Sequence, residues 1–381
     1  MTFESRTENL TNPMQTFLCL SHLRWNSVYQ RPQHLLSRAA SYANVLFFEE
    51  PVTASDDQVR LESRLTEEGV NVLVPHLPSR CSDVDKEGLQ RALLETCLEH
   101  TEGSDLLVWY YSPMSVAFTD HLRARTIVYD CMDELTAFKN APPRLAAMEQ
   151  RVLALADVVF TGGRSLYEAK RNLHANVYSF PSSVDIKHFS KARAEQPDPL
   201  DQEGIGHPRI GFAGVIDERF DIQLVDALAA DRPDWQLVFI GPVVKIAQED
   251  LPRRNNIHYL GPKDYKELPR YMSGWDVATI PFALNDSTRF ISPTKTPEYL
   301  AAGCPVVSTP IADVEARYAG SEVVQIAVST TEFENAISKA LEMGKRDRPF
   351  LEKVDDLLKG MSWDQTWRDM LTEIEKCNLK K

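Results

Sequence analysis

Short apolar, β-rich runs alternate with segments of helical spacing along almost the whole chain. In the first half the spacing predicts strands at 16–20, 44–48, 71–74, 105–110, 126–129, 157–161 and 176–180. Between them it predicts helices at 32–41, 86–100, 145–156 and 165–172. A polar, acidic stretch with Pro and Gly, 191–207, then interrupts the alternation and reads as a linker. The pattern restarts with strands at 209–213, 236–240, 256–260, 276–281, 305–308 and 322–326. Helical spacing returns at 219–230, at 265–273, around Glu298 and at 331–343. Repeated strand–helix–strand units imply parallel sheets covered by helices on both faces. The expectation is an α/β chain of two Rossmann-like β/α/β domains facing a central cleft, one at 1–190 and one at 208–355. In such folds ligands sit at the carboxyl ends of the strands, so the loops after each strand hold the chemistry. Beyond the second block, Trp363, Trp367, Met370, Leu371 and Ile374 share one face of a helix at 362–376, which is expected to pack back on the first domain.

The chain's 381 residues are too many for one ordinary core, which agrees with two domains. A net charge of −13 opposes a nucleic-acid binder and simple docking on anionic lipid. Six cysteines are scattered without a Cys-x-x-Cys, and Cys19, Cys131 and Cys304 lie in or beside apolar runs, as reduced buried thiols do. The segment 1–13 is polar and acidic, not a signal sequence, and no apolar run approaches the ~18 residues of a membrane span. A cytoplasmic protein is expected, with a peripheral contact at the inner membrane face left open. The sequons at Asn9 and Asn285 carry no weight without secretion.

The most informative stretch is 292–309, read as a polar loop, a short helix and a buried strand. Pro297 suits the first turn, Gly303 stops the helix and Pro305 keeps it from resuming. Ser292, Thr294 and Lys295 precede or open that helix, a place suited to an anion. Glu298, inside the same turn, is suited to a sugar diol. Phosphate and diol together describe a nucleotide. A second strand, turn and helix start runs from Ile210 to Arg219: Gly214 permits close backbone approach and Arg219 can hold phosphate, or the segment is an ordinary turn with a surface arginine.

In the first half, Trp25 and Tyr29 can stack on a sugar face while Arg31, Gln33 and His34 bond hydroxyls or phosphate; the alternative is a capped helix with an aromatic plug. Asp130 and Asp133 end a strand at its densest acidic point, with helix capping by Asp133 as the alternative. Glu49 and Glu50 end another strand on the same side. Arg164 opens a helix beside Gly162 and Gly163, where Ser165 is the simpler reading as an N-cap. No dinucleotide fingerprint, P-loop, nucleophile elbow or His-Glu-x-x-His is present.

The order of 211–219, Phe239-Ile240-Gly241-Pro242, 256–261 with Leu268-Pro269, 275–282 and 292–309 resembles that of the retaining GT-B glycosyltransferases of family 4, often labelled group 1. In the first half, 160–166 and Ser182-Ser183-Val184-Asp185 are similar to that family's segments. The resemblance implies a GT-B fold and a metal-independent, retaining hexosyltransferase. Its donor would be a UDP- or GDP-sugar, with no cofactor or metal required. Its acceptor would be a saccharide or lipid-linked saccharide in polysaccharide or glycolipid synthesis. By the same resemblance Glu298 binds the donor ribose, and Gly214, Gly241, Pro262, Arg289, Ser292 and Thr294 line the donor site. Arg219 and Lys295, with Asp130 and Asp133 opposite, fall at catalytic places. The family's first motif glutamate falls on Phe290, and its first phosphate-binding cation is missing after Gly214; Lys295 or Arg289 are the candidates to replace that charge. A GT-B epimerase or phosphorylase, and a non-catalytic sugar-nucleotide binder, are the alternatives.

Overall fold

The computed structural model describes residues 15–345 and 347–379, so the segment 1–13 and the sequon at Asn9 lie outside the described residues. The first sheet comprises β1 (Thr16–Ser21), β2 (Asn44–Glu49), β3 (Val52–Thr53), β4 (Arg60–Leu65) and β5 (Val70–Leu77). It continues with β6 (Leu106–Tyr110), β7 (Thr126–Cys131), β8 (Val158–Thr161) and β9 (Val177–Ser179). The second holds β10 (Arg209–Ala213), β11 (Gln236–Ile240), β12 (Ile257–Gly261), β13 (Val277–Ile280), β14 (Val306–Ser308) and β15 (Val324–Ile326).

Both sheets are doubly wound. The first runs β5-β2-β1-β6-β7-β8-β9 with every pairing on that path parallel; β3 extends the β2 side of β5, and β4 lies antiparallel on β5. The second runs β12-β11-β10-β13-β14-β15, all parallel. Strand order therefore reverses beside β1 in one sheet and beside β10 in the other. Chains leave those strands in opposite directions at that point and open a crevice at their carboxyl ends.

Alternation within the strands decides what each face carries. Phe17 and Cys19 of β1 face one apolar cluster, while Leu18 and Leu20 face the other, so the sheet is buried on both sides. The first cluster is closed by the helix Trp363–Asn378, which lays Trp363, Trp367, Met370, Ile374 and Cys377 on the first sheet. Trp367 lies 5.9 Å from Trp109 and 6.2 Å from Phe17, ring centre to ring centre. Ser362 caps that helix through the Gln365 amide, and Arg38 pairs with Asp364 at 2.6 Å.

The structure differs from the sequence expectation in five places. The crossing between units comes earlier than 191–207, because Val184, Phe189 and Ala192 already sit in the second core. The polar stretch is no free linker: Gln202 is fully buried, donating to the Tyr271 carbonyl and accepting from the Trp275 indole, each at 3.0 Å. Its polarity serves buried hydrogen bonds. Strand β4 (Arg-Leu-Glu-Ser-Arg-Leu) goes unforeseen because it is mostly exposed and carries no apolar run. The helix after β10 begins at Ile222, capped by Asp221, which leaves Arg219 in the loop before it. The helices Ala312–Tyr318 and Arg348–Leu358 are additions, the latter placing Phe350, Val354 and Leu358 in the second core beyond residue 355.

Trp367→Ala should lower stability by about 3–5 kcal/mol, the cost of removing a large buried aromatic. Urea unfolding followed by circular dichroism measures it. A change below about 0.5 kcal/mol, as for a surface site, would contradict the packing described.

Candidate active site

The loops after β10, β11 and β13 meet at one point of the second unit. Gly214 follows β10 with φ +153°, and its amide donates to the Ile240 carbonyl at 2.8 Å. A Cβ on Gly241 would lie 1.9 Å from the Gly214 carbonyl oxygen, so these two loops close only on glycine. A Cβ on Gly214 would lie 2.2 Å from Lys295 Cε and 2.6 Å from its Nζ. The Lys295 side chain thus occupies the space over Gly214, and its ammonium is 5.5 Å from the ring centres of both Phe212 and Phe282. Among the described residues that ammonium has no ion-pair partner within 4.0 Å. Burial and the neighbouring Arg219 charge hold its pKa below the 10.5 of a free lysine.

Lys295 opens the helix Lys295–Ala301, and Glu298 stands three residues on, on the same side. Burial raises the Glu298 carboxyl above its ordinary range, against the pull of Lys295 and a hydrogen bond from the Thr294 hydroxyl. Arg219 reaches the same chamber, but its charge is committed. Its guanidinium grips Asp217 at 2.7 Å and 2.9 Å, and Asp217 is itself buried. The Arg219–Asp217 unit is neutral overall, which makes Lys295, not a pair of cations, the source of unmatched positive charge. Arg289 does not replace it: the side chain is exposed and lies over the Phe290 ring at 5.0 Å. Phe290 rests on the apolar cluster of the first unit. Ser292 faces Gly163 across the junction, and Pro262 is exposed just past β12.

Across the cleft, the ends of β1, β6 and β7 supply His22, Tyr111 and Asp133. Asp133 faces Arg219, Asp217 and Lys295; burial raises its pKa while the Arg219 charge opposes the rise. It caps no helix, because the next helical turn, Leu135–Ala137, starts after Glu134. His22 was not singled out from sequence, although it directly follows the first strand, where the strand-end rule places ligands. Burial lowers its pKa to about 4, against a hydrogen bond to the Tyr111 backbone, so the imidazole is neutral at physiological pH. Phe138 reaches over from the first unit and is flanked by two cations of the second, Arg219 at 5.5 Å and Lys245 at 4.4 Å.

Several expected acceptor contacts are instead parts of the scaffold. Asp130 is 0% exposed and held by Arg31, itself 1% exposed, through Nε at 2.9 Å and Nη2 at 2.8 Å. Arg31 also donates to the Phe180 carbonyl at 2.6 Å. With no exposed surface and a bidentate guanidinium on it, Asp130 is out of a substrate's reach, so Asp130 and Arg31 are corrected to a buried brace between β7 and the first helix, Arg31–Ala39. Gln33 closes a capping box with Gln30 and donates to the Trp25 carbonyl at 2.8 Å. Trp25 is buried edge-on against Phe47 at 5.1 Å. Glu49 holds Arg24 at 2.8 Å and the Trp25 amide at 2.8 Å. The aromatic-plug reading is therefore the one observed for this loop. His34 is buried against Trp363, stacked at 4.6 Å, while Tyr29 stacks on Tyr265 of the second unit at 4.5 Å.

Ser165 does not cap its helix. Asp313 of the second unit does so, accepting from the Arg164 amide at 2.8 Å and the Ser165 amide at 2.9 Å. A Cβ on Gly163 would meet Asp313 Oδ2 at 2.0 Å, so only glycine allows this cross-unit cap. Arg164 itself projects, exposed, beside a cavity at the same junction. Among the described residues no cluster of His, Cys, Asp and Glu is arranged as a metal site, and no helix is long and apolar enough to cross a membrane.

Residues 207–343, about a third of the chain, match the family model described as "Glycosyl transferases group 1". A curated relative, "Putative teichuronic acid biosynthesis glycosyltransferase TuaH" of Bacillus subtilis (strain 168), is 27% identical over 223 residues. That alignment covers 54% of this chain, and the chain spans only 56% of the relative's length. Among solved structures, sucrose-phosphate synthase from Thermosynechococcus elongatus superposes with a TM-score of 0.71 at 16% identity, covering 97% of this chain and 100% of that one. An E. coli structure described as "Trehalose-6-phosphate … bound with UDP-2-fluoro glucose" reaches 0.67 at 14% identity, covering 95% and 99%. At these identities the likeness is one of fold, and the fold is GT-B.

Asp130→Asn should lower stability by about 3–5 kcal/mol by leaving Arg31 as an uncompensated buried charge. Denaturant unfolding reads it. A stability equal to wild type, with activity lost, would return Asp130 to the chemistry.

Proposed function

We propose that the protein is a glycosyltransferase that moves a hexosyl group from a nucleoside diphosphate sugar to an acceptor hydroxyl, with retention and without a metal ion. The observation that carries the reading is the unpaired Lys295 ammonium over Gly214, at the end of the β10 loop, with Glu298 on the same helix face. A diphosphate seated there gains the cation it needs as the anomeric C–O bond breaks and both electrons leave with the diphosphate oxygen. The acceptor oxygen bonds to the anomeric carbon on the same face, and its proton passes to the departing diphosphate. Glu298 takes the ribose hydroxyls, and Arg219, oriented by Asp217, lines the diphosphate path. Neutral His22 and Asp133 face the acceptor side. A UDP- or GDP-sugar is the donor class, supported by the fold neighbour described as bound with UDP-2-fluoro glucose. The group 1 match over the second unit and the relative described for teichuronic acid biosynthesis support a role in cell-surface polysaccharide synthesis on a saccharide or lipid-linked saccharide acceptor.

Lys295→Ala should cut kcat by about 10²–10³, the loss of one preorganised charge donor, roughly 2.7–4 kcal/mol. Glu298→Ala should mainly weaken donor binding. The measurement is release of nucleoside diphosphate from a panel of labelled sugar nucleotides. Slow hydrolysis by wild type, lost in Lys295→Ala, supports transfer. Interconversion of sugars, or binding without turnover, would replace it with the epimerase or the non-catalytic reading.

The lowered Lys295 pKa also sets a pH dependence. The charged ammonium binds diphosphate, so raising pH through its pKa, below 10.5, removes the charge and weakens binding. Nucleoside diphosphate affinity should therefore fall on the alkaline side, and the fall should disappear in Lys295→Ala. Calorimetric titration across pH checks it; a flat wild-type profile would overturn it.

A further inference from the structure

A second cavity lies where the two units touch, outside the chamber of Lys295 and Glu298. Its volume is about 250 Å³ and its walls include Arg164 and Ser182 from the first half and Ser292, Pro297, Asp313 and Arg317 from the second. Liquid water occupies about 30 Å³ per molecule, so the space suits a group the size of a monosaccharide, not a lone ion.

The charges around it are unbalanced. Asp313 accepts from the Arg164 amide through Oδ2 and from the Ser165 amide through Oδ1, and its single negative charge stands against two guanidiniums. Arg164 and Arg317 are both exposed, and among the described residues neither guanidinium has an ion pair or side-chain hydrogen bond. Arg317 is steadied only by the Tyr318 ring, 5.7 Å away. Two arginines without an ion pair thus line one cavity, in a chain of net charge −13, and an anion seated there could be met from both. Because one comes from each half, that anion also bridges the units.

We infer that this junction cavity is a binding site for the carboxylate or phosphate of an acidic saccharide, held by Arg164 and Arg317 with Ser182 and Ser292 for its hydroxyls. Guanidinium forks match both acidic groups bidentately. Ser292 and Pro297 lie on the segment that carries Lys295, so an occupant here rests against the back of the donor helix. That the saccharide is the acceptor rests on the transfer reading above; that the cavity binds an anion does not.

The test is titration of the full-length protein with inorganic phosphate, D-glucuronate and neutral glucose, followed by calorimetry. Glucuronate and phosphate should bind and glucose should not. Arg164→Gln and Arg317→Gln should each weaken glucuronate at least tenfold, the double variant should abolish it, and Arg317→Lys should keep part of it. UDP affinity of Arg317→Gln, unchanged within about twofold, shows that the fold survives. Anions binding no better than glucose, or unaffected by both substitutions, would overturn the site. Glucuronate binding in a protein that turns over no sugar nucleotide would leave this site standing while removing the transfer reading. If transfer occurs, a KM rise for acidic but not neutral acceptors in Arg317→Gln identifies the acceptor. An unchanged KM with retained glucuronate binding in wild type identifies a free effector.

Discussion

A partly buried ammonium with no direct ion-pair partner is costly, and Lys295 is such a group: Glu298, Asp217 and Asp133 act on it only from beyond contact. Lys295 rests over Gly214 beside the paired rings of Phe212 and Phe282, with no carboxylate within ion-pair distance among the described residues. The arrangement depends on two glycines. Gly214 leaves room for the lysine stem, and Gly241 lets the β11 loop come close to the Gly214 carbonyl. Any side chain at either position would displace the loop or the charge. Arg219, which by composition alone is the stronger phosphate binder, is neutralised by Asp217 and so contributes orientation and hydrogen-bond donors more than net charge.

The chamber is closed by what the first unit presents across the cleft. Phe138 sits between two cations, Tyr29 stacks on Tyr265, and Asp313 plugs the start of the Arg164–Lys170 helix. These contacts are aromatic or amide–carboxylate, joined by an exposed ion pair of Lys266 with Glu67 at 3.1 Å. The strong bonds are kept inside each unit: the Arg31–Asp130 brace in the first, the Gln202 and Arg209 hydrogen bonds in the second.

The Lys295–Glu298 segment is legible in the sequence because its chemistry is local. Glu298 and Lys295 lie within one helical turn, and Pro297, Gly303 and Pro305 mark its ends in the sequence itself. The loop and strand ends of the first unit are less so. Trp25, Arg31, Gln33, His34 and Asp130 are the right residue types at the right strand ends, but every one of them spends its polar groups on a partner in the same unit or is buried by one. Asp130 lies 99 residues from Arg31, and no local pattern announces that contact. His22 is hidden for the opposite reason: a single histidine after a strand has no spacing to recognise. The stretch at 191–207 looked like a tether since buried glutamine and exposed glutamine read alike until Trp275 and Tyr271 are seen against it.

Periodicity alone determined that the chain builds two parallel, doubly covered sheets, since strands buried on both faces must be apolar throughout and helices between them must be amphipathic. It also located the loops at which ligands gather, because the carboxyl ends of such strands follow from chain direction. Which charges in those loops remain available was settled only in three dimensions. Whether Arg219, Asp130, Lys295 or Arg317 is free depends on what lies within about 4 Å of it, and those neighbours come from distant segments or the opposite unit. Charge is local to a residue, but its neutralisation is a property of the fold.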